Sequence, residues 1–497
     1  MAERVLKLLN TLTRQVEPLQ LVEPGHLRFY SCGPTVYSYA HIGNFRTFLT
    51  ADLVIRVAKA LGWQVTYVSN ITDVGHLTSD DQDGGEDRME KGLKSKEGQR
   101  FVNVWDLADY YADCFKEDWK SLNLELPYVW PKATQHMREQ IDAVQKLIDM
   151  GRAYETPTGV YFSVGSFDDY GKLSGNRNRD ELMTAVRDVV VDDNKRHPAD
   201  FALWKKDEKH LMQWYSPWGW GFPGWHLECS VMAMAYLGET LDLHAGGEDL
   251  IFPHHECEIA QSESLTGKPF ANHWIHTRFL QVDGEKMSKS LGNFYTARDL
   301  VVDRGADPLA LRYALISQNY GTPHNFTMEL LRDATAKVDR YRQCQERAQA
   351  AINANRPGED SIGEDLTVAY EEALDAMCDN LNTSVALAKA LEGTKIILRV
   401  GDTMSAQSGQ AALEFINKVN NLLGFVENQH GIQPNGESAH DFDAEWIAAQ
   451  IEARAKAKAE RDFGLADSIR KELDDRGIEL RDTPEGTTWK KKSALEI

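Results

Sequence analysis

Two ammonium groups three residues apart, in Lys286-Met-Ser-Lys-Ser290, follow the Asp283-Gly284 turn and precede Leu291-Gly-Asn293. On a serine-containing loop, Lys286 and Lys289 can neutralise charge that develops on a transferred phosphoryl group, and such a loop can close as it does so. A solvated basic turn is the ordinary alternative, yet a specified pentapeptide arises by chance in only about one chain per several thousand of this length. His41-Ile-Gly-Asn44 is a second candidate, placed where a helix is predicted to begin. Free N–H groups and the helix dipole favour anions there, and an imidazole adds a donor. Taken alone, the tetrapeptide reads more simply as a capping histidine beside a turn glycine. A third set suits a metal. His254 and Glu258 are i and i+4 and project from one face of a predicted helix, while Cys229 and Cys32 can reach the same point from strand ends. Two thiolates, an imidazole and a carboxylate match zinc. Spacing leaves the fourth ligand open, because Cys257, His255 and Glu256 are close neighbours, and separate buried thiols beside a polar helix remain the plain alternative.

The elements that must position these groups follow from periodicity. Leu27 to Ser31 reads as a strand; Phe48, Leu49, Leu53, Val57 and Leu61 recur at helical spacing until Gly62; Gln64 to Asn70 is a second strand. Two strands joined by a crossover helix pair in parallel, so the chain opens an α/β fold with a doubly wound parallel sheet of Rossmann type, its ligands at the strand C-termini. The dehydrogenase and Walker glycine motifs are absent. Ser79 to Arg100, crowded with charge, reads as an unpacked surface loop. Thr134 is predicted to cap a helix ending at Gly151, and Tyr154 to Val164 to form a hairpin around Pro157-Thr-Gly159. Leu241 to Leu243 and Arg278 to Val282 read as strands, with a helix from Pro253 to about Leu265. The resulting division is 1–120 for the first half of the catalytic domain, 121–220 for an insertion and 221–275 for the second half. Then come 276–335 for the lysine loop and its surroundings, 336–430 for a helical bundle and 441–497 for a small C-terminal α+β domain with a hairpin at Ile478 to Lys490.

Composition narrows the class. The 497 residues are 42% hydrophobic and 26% charged, within the range of core-forming globular chains. No apolar run approaches a membrane span and the N-terminus lacks a signal-peptide pattern, so no membrane role and a cytoplasmic location are expected. The net charge of −21 requires that any nucleic acid be met by a local basic groove. Six cysteines without a CxxC pair exclude a disulfide framework.

His41-Ile-Gly-Asn44 followed by Lys286-Met-Ser-Lys-Ser290 resembles the paired signatures of class I aminoacyl-tRNA synthetases. Thr11-Leu-Thr-Arg14, Ser31-Cys-Gly-Pro-Thr-Val-Tyr37, Asn70-Ile-Thr-Asp73, Gly224-Trp-His-Leu-Glu-Cys-Ser230 and Phe252-Pro-His-His-Glu256 narrow the resemblance to the cysteinyl-tRNA synthetases, over essentially the whole chain to Gly486-Thr-Thr-Trp489. One departure is Asn44, where the family often has a second histidine; an amide still donates a hydrogen bond but carries no charge. The resemblance implies a ligase that joins L-cysteine and ATP into cysteinyl-adenylate and transfers the aminoacyl group to tRNA(Cys). It also implies one zinc ion per subunit on Cys32, Cys229, His254 and Glu258, and Mg²⁺ on the nucleotide. ATP phosphates fall to His41, Asn44, Lys286 and Lys289, and the amino acid to Trp225, Asp249 and Thr72. The anticodon falls to Trp489 and Lys490 in the terminal domain, near the basic residues Arg454, Lys456, Lys458, Arg461, Arg470 and Lys471. A monomer is expected. The zinc has a physical rationale, since packing alone separates substrates differing by one small group only ~10–200-fold. A metal lowers the pKa of a thiol (ordinarily ~8.5) far more readily than that of an alcohol, so sulfur is selected over oxygen by bonding. A ligase that passes cysteine to an amino-sugar makes the same adenylate but lacks the long C-terminal extension. A non-catalytic RNA-binding relative should have lost the lysines or the metal set.

Overall fold

The computed structural model describes residues 4–74, 87–176, 192–288, 291–431 and 444–459, and beyond these 465–467, 469–470, 473, 478–483 and 486–491. Lys289, most of the expected linker at 430–440, Arg461 and Lys471 lie outside the described residues.

Four strands form one parallel sheet: β1 (His26–Ser31), β2 (Gln64–Ser69), β3 (Leu241–Gly247) and β4 (Ala271–Thr277), in the order β4-β3-β1-β2. Phe29 lies between Leu243 and Tyr67, so the C-terminal ends of all four strands align along one edge. Helix α1 (Ile42–Ala60) makes the first crossover and stops at Gly62, whose φ of +81° suits a residue without Cβ. Helices α2 (Trp225–Leu237) and α3 (Glu256–Thr266) precede and follow β3. α1 is buried almost all round, including Arg46, Asp52 and Arg56. One face lies on the sheet; the other meets the helices Pro308–Ile316 and Ala406–Leu423.

Between the halves of the sheet stands a five-stranded antiparallel sheet, Ala153–Glu155, Gly159–Phe162, Phe201–Lys206, Gly219–Pro223 and Trp214–Ser216 in that spatial order. A small sheet of Leu280–Val282, Glu285–Lys286 and His324–Phe326 carries the lysine loop. The helices Met328–Asn353, Gly363–Cys378, Thr383–Val400 and Ala406–Leu423 follow, then a helix at Ala444–Ala459 and a hairpin of Ile478–Thr483 with Gly486–Lys491.

Several expectations change. Within the stretch read as an unpacked loop, Arg88–Lys94 is a helix capped by Asp87, whose side chain accepts from the Glu90 N–H, and Met89 is buried. Thr134 does not cap the next helix, which runs over Met137–Asp149; its N–H and hydroxyl donate to Asp73 at 3.0 and 2.7 Å instead. Pro253 does not open α3, because Phe252 is extended and the regular helix starts at Glu256. β4 had no counterpart in the sequence reading, since its buried His273, Trp274 and His276 break the Val/Ile pattern of a central parallel strand.

Candidate active site and metal centre

Cys32 follows the end of β1, held by its N–H to the Ala245 carbonyl at 3.2 Å. Cys229 comes from the second turn of α2 rather than from a strand end. His254 sits in the irregular turn before α3 and Glu258 on α3 itself. One donor atom from each of these four buried side chains lies within 4.8 Å of the others. The two sulfurs are 3.8 Å apart, the Cys32 sulfur is 3.6 Å from Glu258 Oε1, and His254 Nε2 is 2.9 Å from that oxygen. Two sulfurs about 2.3 Å from a tetrahedral zinc stand about 3.8 Å apart, so the sulfur pair fits that ion. Cys32, His244, His255 and Glu258 form a second, overlapping group within the same limit. Around the first group, His244 Nε2 meets Glu258 Oε2 at 2.8 Å, and His226 Nδ1 meets His254 Nδ1 at 2.9 Å. Both contacts have the form of outer-shell supports that orient a ligand from behind. Cys257 belongs to neither group; its sulfur meets the Tyr170 hydroxyl at 3.4 Å in the core beneath the insertion.

The cluster is electrostatically coupled. Burial pushes the Glu258 carboxyl up, but His244 and His254 outweigh it and hold it at about 2. Burial opposes charge on His254, yet Glu258 and Cys229 raise the imidazole to about 10. The hydrogen bond from Cys32 draws Cys229 down to about 6 against burial, while burial and that same bond hold Cys32 well above the ordinary thiol value. Anionic oxygen and sulfur therefore converge on one buried point, which favours a cation there.

At the expected nucleotide site, His41 is the N-cap of α1. Its Nδ1 accepts from the Asn44 N–H at 3.1 Å while Asn44 Oδ1 accepts from the His41 N–H at 3.1 Å, a reciprocal capping box. Burial lowers the imidazole to about 4, so at neutral pH it is uncharged, with the proton on Nε2. It can donate a hydrogen bond to a phosphate but brings no charge. Asn44 gives its Oδ1 to the cap. The two signatures meet: Ile42 N–H donates to the Tyr295 carbonyl at 3.0 Å, and a Cβ on Gly43 would lie 2.8 Å from Met287 Cε. The close approach at Gly43 is thus to the lysine loop. Lys286 is exposed at the end of its strand.

Trp225 opens α2 with its ring 4.2 Å from that of His254. Thr72 is buried, its hydroxyl accepting from Asn70 Nδ2 at 3.1 Å; Asn70 Oδ1 accepts from the Gly33 N–H at 2.8 Å and lies 3.7 Å from the Cys229 sulfur. Asp249 stands in the turn after β3, against Gly247, where a Cβ would come 2.4 Å from its carboxylate. The four-donor group, Thr72, Trp225, Asp249 and His41 therefore gather at one sheet edge. Trp489 and Lys490 are remote in sequence on the terminal hairpin, opposite Leu480 and Glu479. Arg454 is buried rather than presented with the basic residues. Sequence reading missed His226, His244 and His276 and the buried Glu228. The available signal was crowding: six of the chain's 15 histidines fall between 226 and 276.

Comparison with known proteins agrees with this geometry. The family described as tRNA synthetases class I (C) catalytic domain matches residues 18–336. A cysteine–tRNA ligase of Salinibacter ruber is 52% identical over 519 residues, covering 100% of both chains. One of Chlorobaculum tepidum is 41% identical, covering 98% of this chain and 99% of that one. Among solved structures, Mycobacterium tuberculosis methionyl-tRNA synthetase in complex with methionyl-adenylate shares the fold with a TM-score of 0.59 at 13% identity, over 80% of this chain and 92% of that one. The Agrobacterium radiobacter K84 agnB2 LeuRS ternary complex does so with a TM-score of 0.58 at 11% identity, over 84% and 86%. With a parallel sheet whose ligand edge joins the two signature segments, and whole-length relatives of one kind, the chain belongs to the cysteine–tRNA ligases, a family of class I aminoacyl-tRNA synthetases.

Proposed function

We propose that this ligase selects its amino acid through a zinc ion held by Cys32, Cys229, His254 and Glu258, and activates it beside His41 and the Lys286–Lys289 loop. The observation that carries the reading is the convergence of four buried donor atoms within 4.8 Å, two of them sulfurs at tetrahedral spacing. Bound there, zinc supplies a borderline-soft Lewis acid whose preference for thiolate over alcohol separates cysteine from serine. Trp225 closes the pocket beside His254, Asp249 takes the substrate ammonium, and the buried Thr72–Asn70 pair lines the wall near Cys229. This places the substrate carboxylate towards the α1 N-terminus. It attacks the α-phosphorus of Mg²⁺-bound ATP in line and pyrophosphate leaves. His41 Nε2–H and the Asn44 side-chain amide N–H donate to phosphate oxygens, the α1 N-terminus adds its dipole, and Lys286 and Lys289 carry the positive charge. The terminal ribose hydroxyl of tRNA(Cys), the 2′-OH in this class, then attacks the adenylate carbonyl and takes the aminoacyl group as the acyl–phosphate bond breaks and AMP leaves. In this scheme residues 121–220 receive the acceptor end and 336–430 the body of the tRNA. Trp489 and Lys490 within 441–497 serve the anticodon, a stacking ring beside a cation. The enzyme acts as a cytoplasmic monomer.

Zinc content and ATP–pyrophosphate exchange with cysteine and with serine, measured on the parent and on Cys229→Ser, test the proposal. The parent should hold one zinc and exchange only with cysteine; the variant should lose both metal and cysteine affinity. Unchanged metal content would remove Cys229 from the site, and a metal-free parent that still prefers cysteine would end the zinc reading.

A further inference from the structure

Arg46 lies one turn into α1 from the nucleotide site, and its side chain is buried. Its two terminal nitrogens donate to four backbone carbonyls: those of Arg278 and Phe279 (3.5 Å) from one, and of Asn319 (3.1 Å) and Thr322 (2.7 Å) from the other. A buried cation is retained where its donors find acceptors, and here backbone from two distant segments satisfies both terminal nitrogens, while Nε has no partner among the described residues. Burial lowers the guanidinium to about 10, opposed by Glu248, so it is charged at neutral pH.

Both segments lead to the lysine loop. Residues 278–279 join β4 to the strand Leu280–Val282, which pairs antiparallel with Glu285–Lys286. The Asn319–Thr322 turn leads into His324–Phe326, the parallel partner of that same strand. Glu248 holds the identical dipeptide: its carboxylate accepts from the Phe279 N–H at 2.6 Å and pairs with the Arg278 side chain at 3.0 Å. Glu248 stands directly after β3 and beside Asp249, on the amino-acid side of the site. One dipeptide is therefore held both by a cation on α1 and by an anion beside Asp249.

We propose that Arg46 and Glu248 form a latch on Arg278-Phe279 that sets the lysine loop in register with the amino-acid subsite, and that both are positioning residues for adenylate formation. The inference rests on the assignment of Lys286 and Lys289 to the ATP phosphates. A misplacement of about 1 Å in a reacting constellation can cost on the order of 100-fold in rate, so a latch of this kind should be visible in kcat.

Glu248→Ala, Glu248→Gln, Arg46→Lys and Lys286→Ala are compared in cysteine-dependent ATP–pyrophosphate exchange, with zinc content, KM for cysteine and backbone amide hydrogen exchange at 278–288 followed alongside. Glu248→Ala should lower kcat by roughly 10–100-fold while zinc content and KM for cysteine stay at the parent values, and should speed amide exchange at Phe279. Glu248→Gln, which can still accept from that N–H, should fall between parent and alanine, and Arg46→Lys should lower kcat without loss of zinc. Parent-like kcat in Glu248→Ala, or a fall that accompanies zinc loss, overturns the latch. Normal exchange by Lys286→Ala overturns the phosphate assignment instead, so the two failures are told apart.

Discussion

Asp52→Asn is expected to be among the most destabilising single changes that leave the catalytic edge untouched. Asp52 is fully buried on α1, where its Oδ2 accepts from Arg56 Nε at 2.8 Å and from the Arg312 guanidinium, and its Oδ1 from the Glu125 N–H at 2.6 Å. Arg312 is equally buried and also donates to the carbonyls of Leu423, Leu122 and Asn123, which ties the end of the last bundle helix to α1. Removing the carboxylate charge takes away the anion paired with the buried Arg312 and leaves Arg56 with Glu125 at 3.8 Å, a loss worth about 3–5 kcal/mol by comparison with other broken buried pairs. An exposed pair such as Lys268–Glu239 is worth only about 0–1 kcal/mol. Burial raises the Asp52 carboxyl, but Arg312 and Arg56 outweigh it and hold it below the usual range. With the folded value below the unfolded one, the stabilisation is complete above about pH 4 and is lost as pH falls through the folded value. Urea unfolding at fixed protein and zinc concentration measures the difference. Parent and variant should differ by those few kcal/mol at pH 7 and converge in acid. Asp52→Leu combined with Arg312→Met should recover most of the loss, because Arg56 keeps Glu125 at 3.8 Å and the Asn123, Asn420 and Asn421 carbonyls. A deficit under about 1 kcal/mol, or one that persists undiminished at pH 3, would refute the reasoning.

His41 should stay neutral through the physiological range. In an NMR titration assigned with His41→Asn, its ring should charge only near pH 4, and a ring titrating between about 6 and 7 would contradict its burial. Because the folded value is depressed, the stability from the buried neutral ring is present above the unfolded value of ~6.5 and is lost as pH falls through about 4. Removal of the residues after Gly431 should leave ATP–pyrophosphate exchange at the parent rate but cut the efficiency of tRNA charging by about tenfold or more, since one stacked base is worth ~1–3 kcal/mol. Equal charging by the shortened chain would dismiss the terminal domain as an anticodon contact.

Motif chemistry and local periodicity were legible in the sequence because they are short-range properties. A lysine pair on a turn, a histidine before a helical run and strand–helix–strand alternation each depend on a few neighbouring residues, and β1, α1 and β2 lie within a few residues of where the pattern puts them. What required the fold was everything set by long-range packing. Competition from Asp73 removed Thr134 from its expected cap, and the irregular turn at Phe252 moved the start of α3 past His254. β4 was hidden because its buried histidines look polar until the partners across the sheet are known: His276 bonds His255 and Thr11, two segments far from it in the chain. The candidate metal group shows the division most clearly. Residue types named a thiol–imidazole–carboxylate cation site, but spacing left Cys257, His255 and Glu256 in contention. Only the turn of α3 decided which side chains face Cys32, sending Cys257 into the core and Glu256 onto the backbone of Gly171, Leu173 and Ser174. His255 is kept beside Cys32 at 3.3 Å, because side-chain direction on a distorted helix is a property of the packed structure and not of the interval between letters.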